Sequence, residues 1–239
     1  GRLRQEIVLQ QYNKKQVATQ NIIMANPTKL YDEAFLTGCD EGHEWILPWF
    51  IKNYKKHCKK PLVFADFGLS DIGRAIVREN VHAVMDLTKV EERGWFKKPL
   101  SMYKCPAKKT VWIDTDCEIK DNIDDIFNLL EPQKLSMVED KPWTKRRGHR
   151  WHNSGVVGFI DKPTILGQWI TATKNNVDQV GDQEVLDKIL NPITKISKIK
   201  DLPNEYNVMR LQLNDGYNGK IRIMHWTGQK GKEKIRSML

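Results

Sequence analysis

The 239-residue chain has only four cysteines (Cys39, Cys58, Cys105 and Cys117), and no two of them share a Cys-x-x-Cys spacing. That argues against a zinc ribbon or a dithiol redox centre; free thiols in a reducing compartment are the expectation. No stretch approaches the roughly 20 apolar residues of a membrane-spanning helix. Residues 1–20 are polar and lack the apolar centre of a secretory signal. The composition therefore predicts a soluble, cytoplasmic chain without a membrane span. There is no linker rich in Pro, Gly or Ser and no internal repeat, so one domain is the economical reading over residues 31–239. Residues 1–30 read as an N-terminal extension: Ile7, Val8, Tyr12 and Val17 form at most one helical stripe, and Met24 stands directly before Ala-Asn-Pro, where the fold-like pattern begins.

Acidic residues are the scarcer charge. Lys plus Arg number 39 against 30 for Asp plus Glu, which leaves +9 and a pI near 9.3. Such a balance favours anionic partners (nucleic acid, phosphate esters, anionic lipid) without choosing among them, and a solvated basic surface would look the same. The hydrophobic share is 40%, enough to fill a sizeable core and to exclude a disordered or collagen-like chain.

From residue 34 the apolar pattern alternates between strand and helix periods. Strands are predicted at 34–39, 61–65, 81–86, 110–113, 135–138, 155–160 and 220–225, with helices at 44–58, 70–79, 95–105, 123–130 and 179–190. Ser70 suits the N-cap of its helix, and Pro99 predicts a late start or a kink in the 95–105 segment. Strands separated by helices imply an α/β fold: a mainly parallel sheet with helices on both faces. In such sheets ligands sit at the carboxyl ends of the strands.

The segment Val111-Trp-Ile-Asp114-Thr-Asp116-Cys-Glu118 delivers two carboxylates at the end of what must be a central strand. Asp114 and Asp116 would share one face if the strand stayed regular. Close carboxylates repel unless a cation lies between them, and hard oxygen ligands suit Mg²⁺ or Mn²⁺. Two turn-forming aspartates are the structural alternative. Residues 114–125 hold six acids and one lysine; Asp121 and Asn122 are candidate caps, while Asp124 and Asp125 suit the first turn of the next helix. A divalent ion beside a basic surface points to a diphosphate leaving group, and so to a nucleotide-diphosphate substrate.

Ile-Asp114-Thr-Asp116 resembles the metal-binding Asp-x-Asp motif of glycosyltransferases with the GT-A (Rossmann-like) fold. Further landmarks follow in order: His152-Asn153-Ser154-Gly155-Val156, Gly181-Asp182-Gln183-Glu184-Val185-Leu186, Leu202-Pro203-x-x-Tyr206-Asn207 and Ile223-Met-His225-Trp-Thr-Gly228. Each is similar to a segment of glycosyltransferase family 8, the glycogenin-like and galactosyltransferase-like enzymes. The resemblance covers residues 34–232. It implies a metal-dependent hexosyltransferase that moves a hexose from a nucleotide-diphosphate sugar, with a UDP-sugar the expected donor, to an acceptor hydroxyl with retention of configuration. It further implies Asp114, Asp116 and His225 as ligands of Mn²⁺ (or Mg²⁺), and Asn153, Asp182 and Gln183 around the sugar and the reacting carbon. Thr37, Gly38, Cys39 and Thr115 would meet the nucleotide. Lys97 or Lys98, with Gly228, Lys230 and Lys232, would meet the donor and its diphosphate. The family's Gly-x-x-Lys-Pro-Trp ending is absent; a lysine stands one position early (Lys230) and one late (Lys232).

The acceptor is open: glycan, protein or modified nucleic acid. Lys141 to His152 is a basic segment with interleaved aromatics that reads as a loop before Asn153, where an acceptor would be met, and Trp143 and Trp151 would suit stacking on a sugar or a base. A nucleic-acid-binding or nucleic-acid-modifying protein is one rival reading, supported by the charge. A metal-dependent nucleotidyltransferase is another, weakened because residues 37–42 offer only two glycines for a phosphate loop. The oligomeric state is not legible.

Overall fold

Runs that are apolar on both faces become the centre of a sheet, because each face must be covered. The computed structural model describes residues 31–239; the apolar stripe of Ile7 to Val17 and the extension at 1–30 lie outside the described residues. In chain order the main elements are β1 (Tyr31–Cys39), α1 (Leu47–His57), β2 (Leu62–Asp66), α2 (Asp71–Asn80), β3 (Ala83–Asp86), α3 (Lys98–Lys104), β4 (Ala107–Ile113), β5 (Cys117–Ile119), β6 (Leu135–Glu139), α4 (Lys141–Arg147) and β7 (His152–Ile160). They are followed by α5 (Thr164–Lys174), α6 (Asp182–Ile189), α7 (Pro192–Lys198), β8 (Ile199–Asp201), β9 (Val208–Met209), α8 (Arg210–Asn214), β10 (Ile223–His225) and α9 (Gly228–Arg236). A seven-stranded sheet runs β3-β2-β1-β4-β7-β6-β8, and a small sheet runs β5-β10-β9. In the large sheet only β7 is reversed, antiparallel to both β4 and β6. The mainly parallel α/β architecture is as expected.

Alternation along the strands splits the core. Phe35, Leu62, Phe64, Val111 and Ile113 face one layer, with Leu47, Phe50 and Tyr54 of α1. Leu36, Val63, Ala65 and Trp112 face the other, with Leu100 of α3, Trp169 of α5 and Leu186 of α6. Ser70 caps α2 by accepting from Gly73 N at 3.2 Å. The Pro99 segment divides as anticipated: a 3₁₀ turn over Gly94–Lys97, then α3, with the proline in its first turn. No helix among the described residues is long and apolar enough to cross a membrane.

Two local expectations need correction. The helix at 123–130 is a 3₁₀ helix, Asp124–Leu129. Its acids serve tertiary contacts: Asp124 Oδ2 accepts from Lys59 N at 3.0 Å, and Asp125 pairs with Arg222 at 2.6 Å. The basic segment after residue 140 is not a loop but the helix α4, capped by Asp140, which accepts from Trp143 N at 3.1 Å, and closed by left-handed Gly148.

Candidate active site

The two aspartates meet through a turn, not along a regular strand. β4 ends at Ile113; Asp114 N donates to Gly155 O at 2.8 Å, and Cys117 N closes a turn on Asp114 O at 3.0 Å. The chain then enters β5, whose antiparallel partner β10 sets His225 opposite Cys117. That register brings the imidazole to the turn: His225 Nε2 lies 3.1 Å from Asp116 Oδ1 and 3.9 Å from Asp114 Oδ2.

The far side of the ring is held as tightly. Nδ1 sits 3.1 Å from Asn153 Oδ1 and 3.0 Å from Asn207 Oδ1, and Asn207 Nδ2 donates to Asn153 Oδ1 at 2.8 Å. Two amide oxygens facing Nδ1 require a proton there, so Nε2 is the atom turned to the carboxylates. Burial alone would lower the His225 pKa; the Asp116 and Asp114 charges outweigh it and raise it. Burial would raise that of Asp116, but His225, Lys232 and Lys98 hold it at about 2. Gly155 is required by this packing, since a Cβ there would stand 2.2 Å from His225 Cε1.

Lys98 forms the second focus. Its ammonium is buried, 2.9 Å from Asp114 Oδ1 and 3.3 Å from Asp182 Oδ2, and donates to Ser154 O at 3.2 Å. Burial by itself would discharge it; the two carboxylates reverse that and raise its pKa. Asp182 is pushed up by burial against the pull of Lys98. Gln183 Oε1 accepts from Ser154 N at 2.9 Å, tying the first turn of α6 to β7. Trp112 Nε1 donates to Asp114 Oδ1 at 2.6 Å, which leaves Oδ2 as the free oxygen of that carboxylate.

These groups open on one cavity of about 350 Å³. Of the residues singled out in the sequence, Gly38, Cys39, Lys98, Asp114, Thr115, Asp116, Asn153, Asp182, Gln183 and Lys232 line it, with His225 directly behind Asp116. Four do not. Thr37 is buried in β1. Lys97 points away from the cavity, its ammonium donating to Phe67 O and Leu87 O at 3.0 Å each. Gly228 and Lys230 lie on α9 outside the lining, whereas Lys232 on the same helix is 3.6 Å from Asp116 Oδ2. The choice between Lys97 and Lys98 thus falls on Lys98, and the late lysine, not the early one, faces the cavity.

Asn207 and Trp112 orient the His225 and Asp114 groups, yet neither was singled out for a role. Asn207 does lie in a recognisable Leu-Pro-x-x-Tyr-Asn segment. Trp143 and Trp151 are also differently engaged: Arg147 lies 5.1 and 5.0 Å from their ring centroids, and Trp151 is buried. Their rings are occupied in holding α4.

The cavity carries five carboxylates (Asp40, Asp114, Asp116, Asp182 and Glu184) against two lysines, Lys98 and Lys232. In a basic protein this inversion suits a bound cation. Asp116 Oδ1 and Asp114 Oδ2 both face His225 Nε2, at 3.1 and 3.9 Å, and two hard carboxylate oxygens with one imidazole nitrogen, its tautomer already set, would suit Mn²⁺ or Mg²⁺. Among the described residues the donor atoms that lie within 4.8 Å of one another are those of Asp116, Cys117 and His225. Burial and the nearby Asp116 push the Cys117 thiol pKa well up, and a soft sulfur donor suits Mn²⁺ or Mg²⁺ poorly.

No family profile and no curated protein matches this sequence. Solved structures do match in fold. The bifunctional glycosyltransferase WbbM superposes with a TM-score of 0.64 at 13% identity, over 85% of this chain and 47% of its own. Galactosyltransferase LgtC, in complex with donor and acceptor sugar analogues, gives 0.59 at 13% identity, over 86% and 94%. Glycosyltransferase GlyE of Streptococcus pneumoniae gives 0.63 at 15% identity, over 83% and 55%. The chain thus spans about half the length of WbbM and GlyE and nearly all of LgtC. It has the GT-A-like fold of these glycosyltransferases.

Proposed function

We propose that this chain is a metal-dependent glycosyltransferase that moves a hexose from a nucleotide-diphosphate sugar, a UDP-sugar first of all, to an acceptor hydroxyl. The observation that carries the reading is that Asp114 and Asp116 both face His225, beside the Lys98–Asp182 pair, on one cavity of a GT-A-like fold. Nucleotidyl transfer is the weaker reading, since the fold neighbours are glycosyltransferases.

In this mechanism Asp114, Asp116 and His225 would hold Mn²⁺ or Mg²⁺, whose chemistry is to neutralise a diphosphate and so improve it as a leaving group. Lys232, on the rim beside Asp116, adds a mobile positive charge for the departing phosphate. Gly38 and Cys39 offer backbone groups to the nucleotide; a Cβ at Gly38 would stand 2.5 Å from Ala65 O, so close approach of the chains depends on the bare glycine. Lys98, 3.3 Å from Asp182 Oδ2, favours the charged form of that carboxylate against the effect of burial, and the charge can stabilise the positive charge that builds on the anomeric carbon. Retention, implied by the likeness to family 8, would have the acceptor enter on the face the diphosphate leaves, with Asp182 as stabiliser or nucleophile on the opposite face. Asn153 and Gln183 fix the walls on either side.

The test is a panel of nucleotide sugars with Mn²⁺, read by release of the free nucleoside diphosphate. Asp116→Ala is expected to abolish turnover with the thermal melt retained, and chelator to do the same to the wild type. Full activity in either case removes the proposal.

A further inference from the structure

We infer that Trp95 and Glu184 form the acceptor subsite at the cavity mouth, and that the acceptor they take is an uncharged pyranoside. This rests on the glycosyl-transfer reading and names its second substrate. Of the eight tryptophans, Trp95 is the one that stands out in solvent, at 48% exposure, and it lines the cavity. Its Nε1 donates to Val180 O at 3.1 Å, and Phe96 packs beside it at 6.2 Å between ring centroids. An indole pinned by its N–H keeps a flat apolar face on offer, which the C–H face of a sugar ring covers well. Among the described residues no cation lies over that face as Arg147 lies over Trp143 and Trp151.

Glu184 supplies the polar half. It lies in the first turn of α6, lines the same cavity and has no hydrogen-bond or ion-pair partner among the described residues. A carboxylate accepts hydrogen bonds and donates none, so it suits the hydroxyls of a sugar. Charge then decides the class. The lining is acid-rich, and a divalent ion with the donor's diphosphate leaves that imbalance in place because their charges cancel. A uronic acid or a phosphorylated acceptor would meet Asp40 and Glu184 as like charges. The +9 of the whole chain attracts anions to the surface; inside the cavity the donor's diphosphate has the metal and Lys232 to offset it, whereas an anionic acceptor has only Asp40 and Glu184 beside it.

Saturation-transfer NMR tests this directly. The probes are methyl β-galactopyranoside, methyl β-glucopyranoside, galacturonate and a duplex oligonucleotide, each with the full chain, UDP and Mn²⁺. A neutral glycoside is expected to bind through its ring C–H protons, and galacturonate is not. Trp95→Ala should weaken binding about tenfold, Trp95→Phe should restore most of it, and Glu184→Gln should admit galacturonate. In assays with the active donor, Trp95→Ala should raise the acceptor KM with a smaller effect on kcat. The inference fails if neither glycoside binds the wild type, if Trp95→Ala binds as well as wild type, or if galacturonate or the duplex competes better than the glycosides. Failure of the glycosyl-transfer reading has a separate signature: no nucleotide sugar is consumed and UDP with Mn²⁺ does not bind, while the glycoside still contacts Trp95.

Discussion

Gly155→Ala adds one methyl where the structure has no room for it. The new Cβ would stand 2.2 Å from His225 Cε1, 2.4 Å from His225 Nδ1 and 2.8 Å from Asn153 Oδ1. The ring cannot simply swing aside, because Nδ1 is held by Asn153 and Asn207 and Nε2 faces Asp116. Relief therefore comes from displacing His225, by roughly the ångström that separates these distances from ordinary contact. Misplacements of this size cost about 100-fold in rate, and loss of an orienting partner costs about 10- to 100-fold in metal affinity. Overpacking adds about 1–3 kcal/mol of destabilisation. The assay is calorimetric titration of Mn²⁺ in the presence of UDP, with a thermal melt to confirm folding. In a double-mutant cycle, Gly155→Ala should cost little further in a His225→Ala background, because both changes act through the same ring. Wild-type Mn²⁺ affinity in folded Gly155→Ala would refute the reasoning, as would full additivity with His225→Ala.

Three further outcomes are expected. Asn207→Ala should weaken Mn²⁺ binding about 10-fold or more by freeing His225 Nδ1, with Asn207→Gln a poor rescue in a fully buried position; calorimetry reads both. Lys98→Met leaves Asp114 and Asp182 without their shared cation, and in chelator it should lower the stability read by urea unfolding by about 3–5 kcal/mol. The third concerns His152, which burial holds below its ordinary pKa against the pull of Asp201, with its Nδ1 buried and unpartnered. The folded state then binds this proton less readily than the unfolded chain. Its contribution to stability is complete above the unfolded value of about 6.5 and is lost as pH falls through the folded one. Urea midpoints from about pH 8 to about pH 5 should therefore fall less steeply in His152→Gln than in wild type, and identical slopes would count against the assignment.

Much of the fold was legible because burial on both faces forces apolar runs, as at 62–66 and 110–113, and because Ser70 and Pro99 act through local sterics. The misreadings have physical causes. Residues 123–130 carry helix-like apolar spacing, but their acids are drawn to Lys59 and Arg222, and the segment settles as 3₁₀. Lys141–Arg147 reads as a basic loop until Asp140 caps it and Gly148 ends it. Trp95 carried no signal, since an exposed indole and a core indole look alike in a sequence.

By itself the chain's sequence determined the alternation of strand and helix and the placing of Asp114 and Asp116 at a strand end, because periodicity and chain geometry act over a few residues. Its landmark segments also carried the likeness to family 8. Tertiary structure alone decided that β10 pairs with β5 and so delivers His225 to the turn, that Lys98 and not Lys97 faces Asp182, and that the interior of a basic protein is acid-lined. Those are contacts between residues far apart in the chain, and their partners are selected by sheet register and by the cost of burying a charge without a counter-charge.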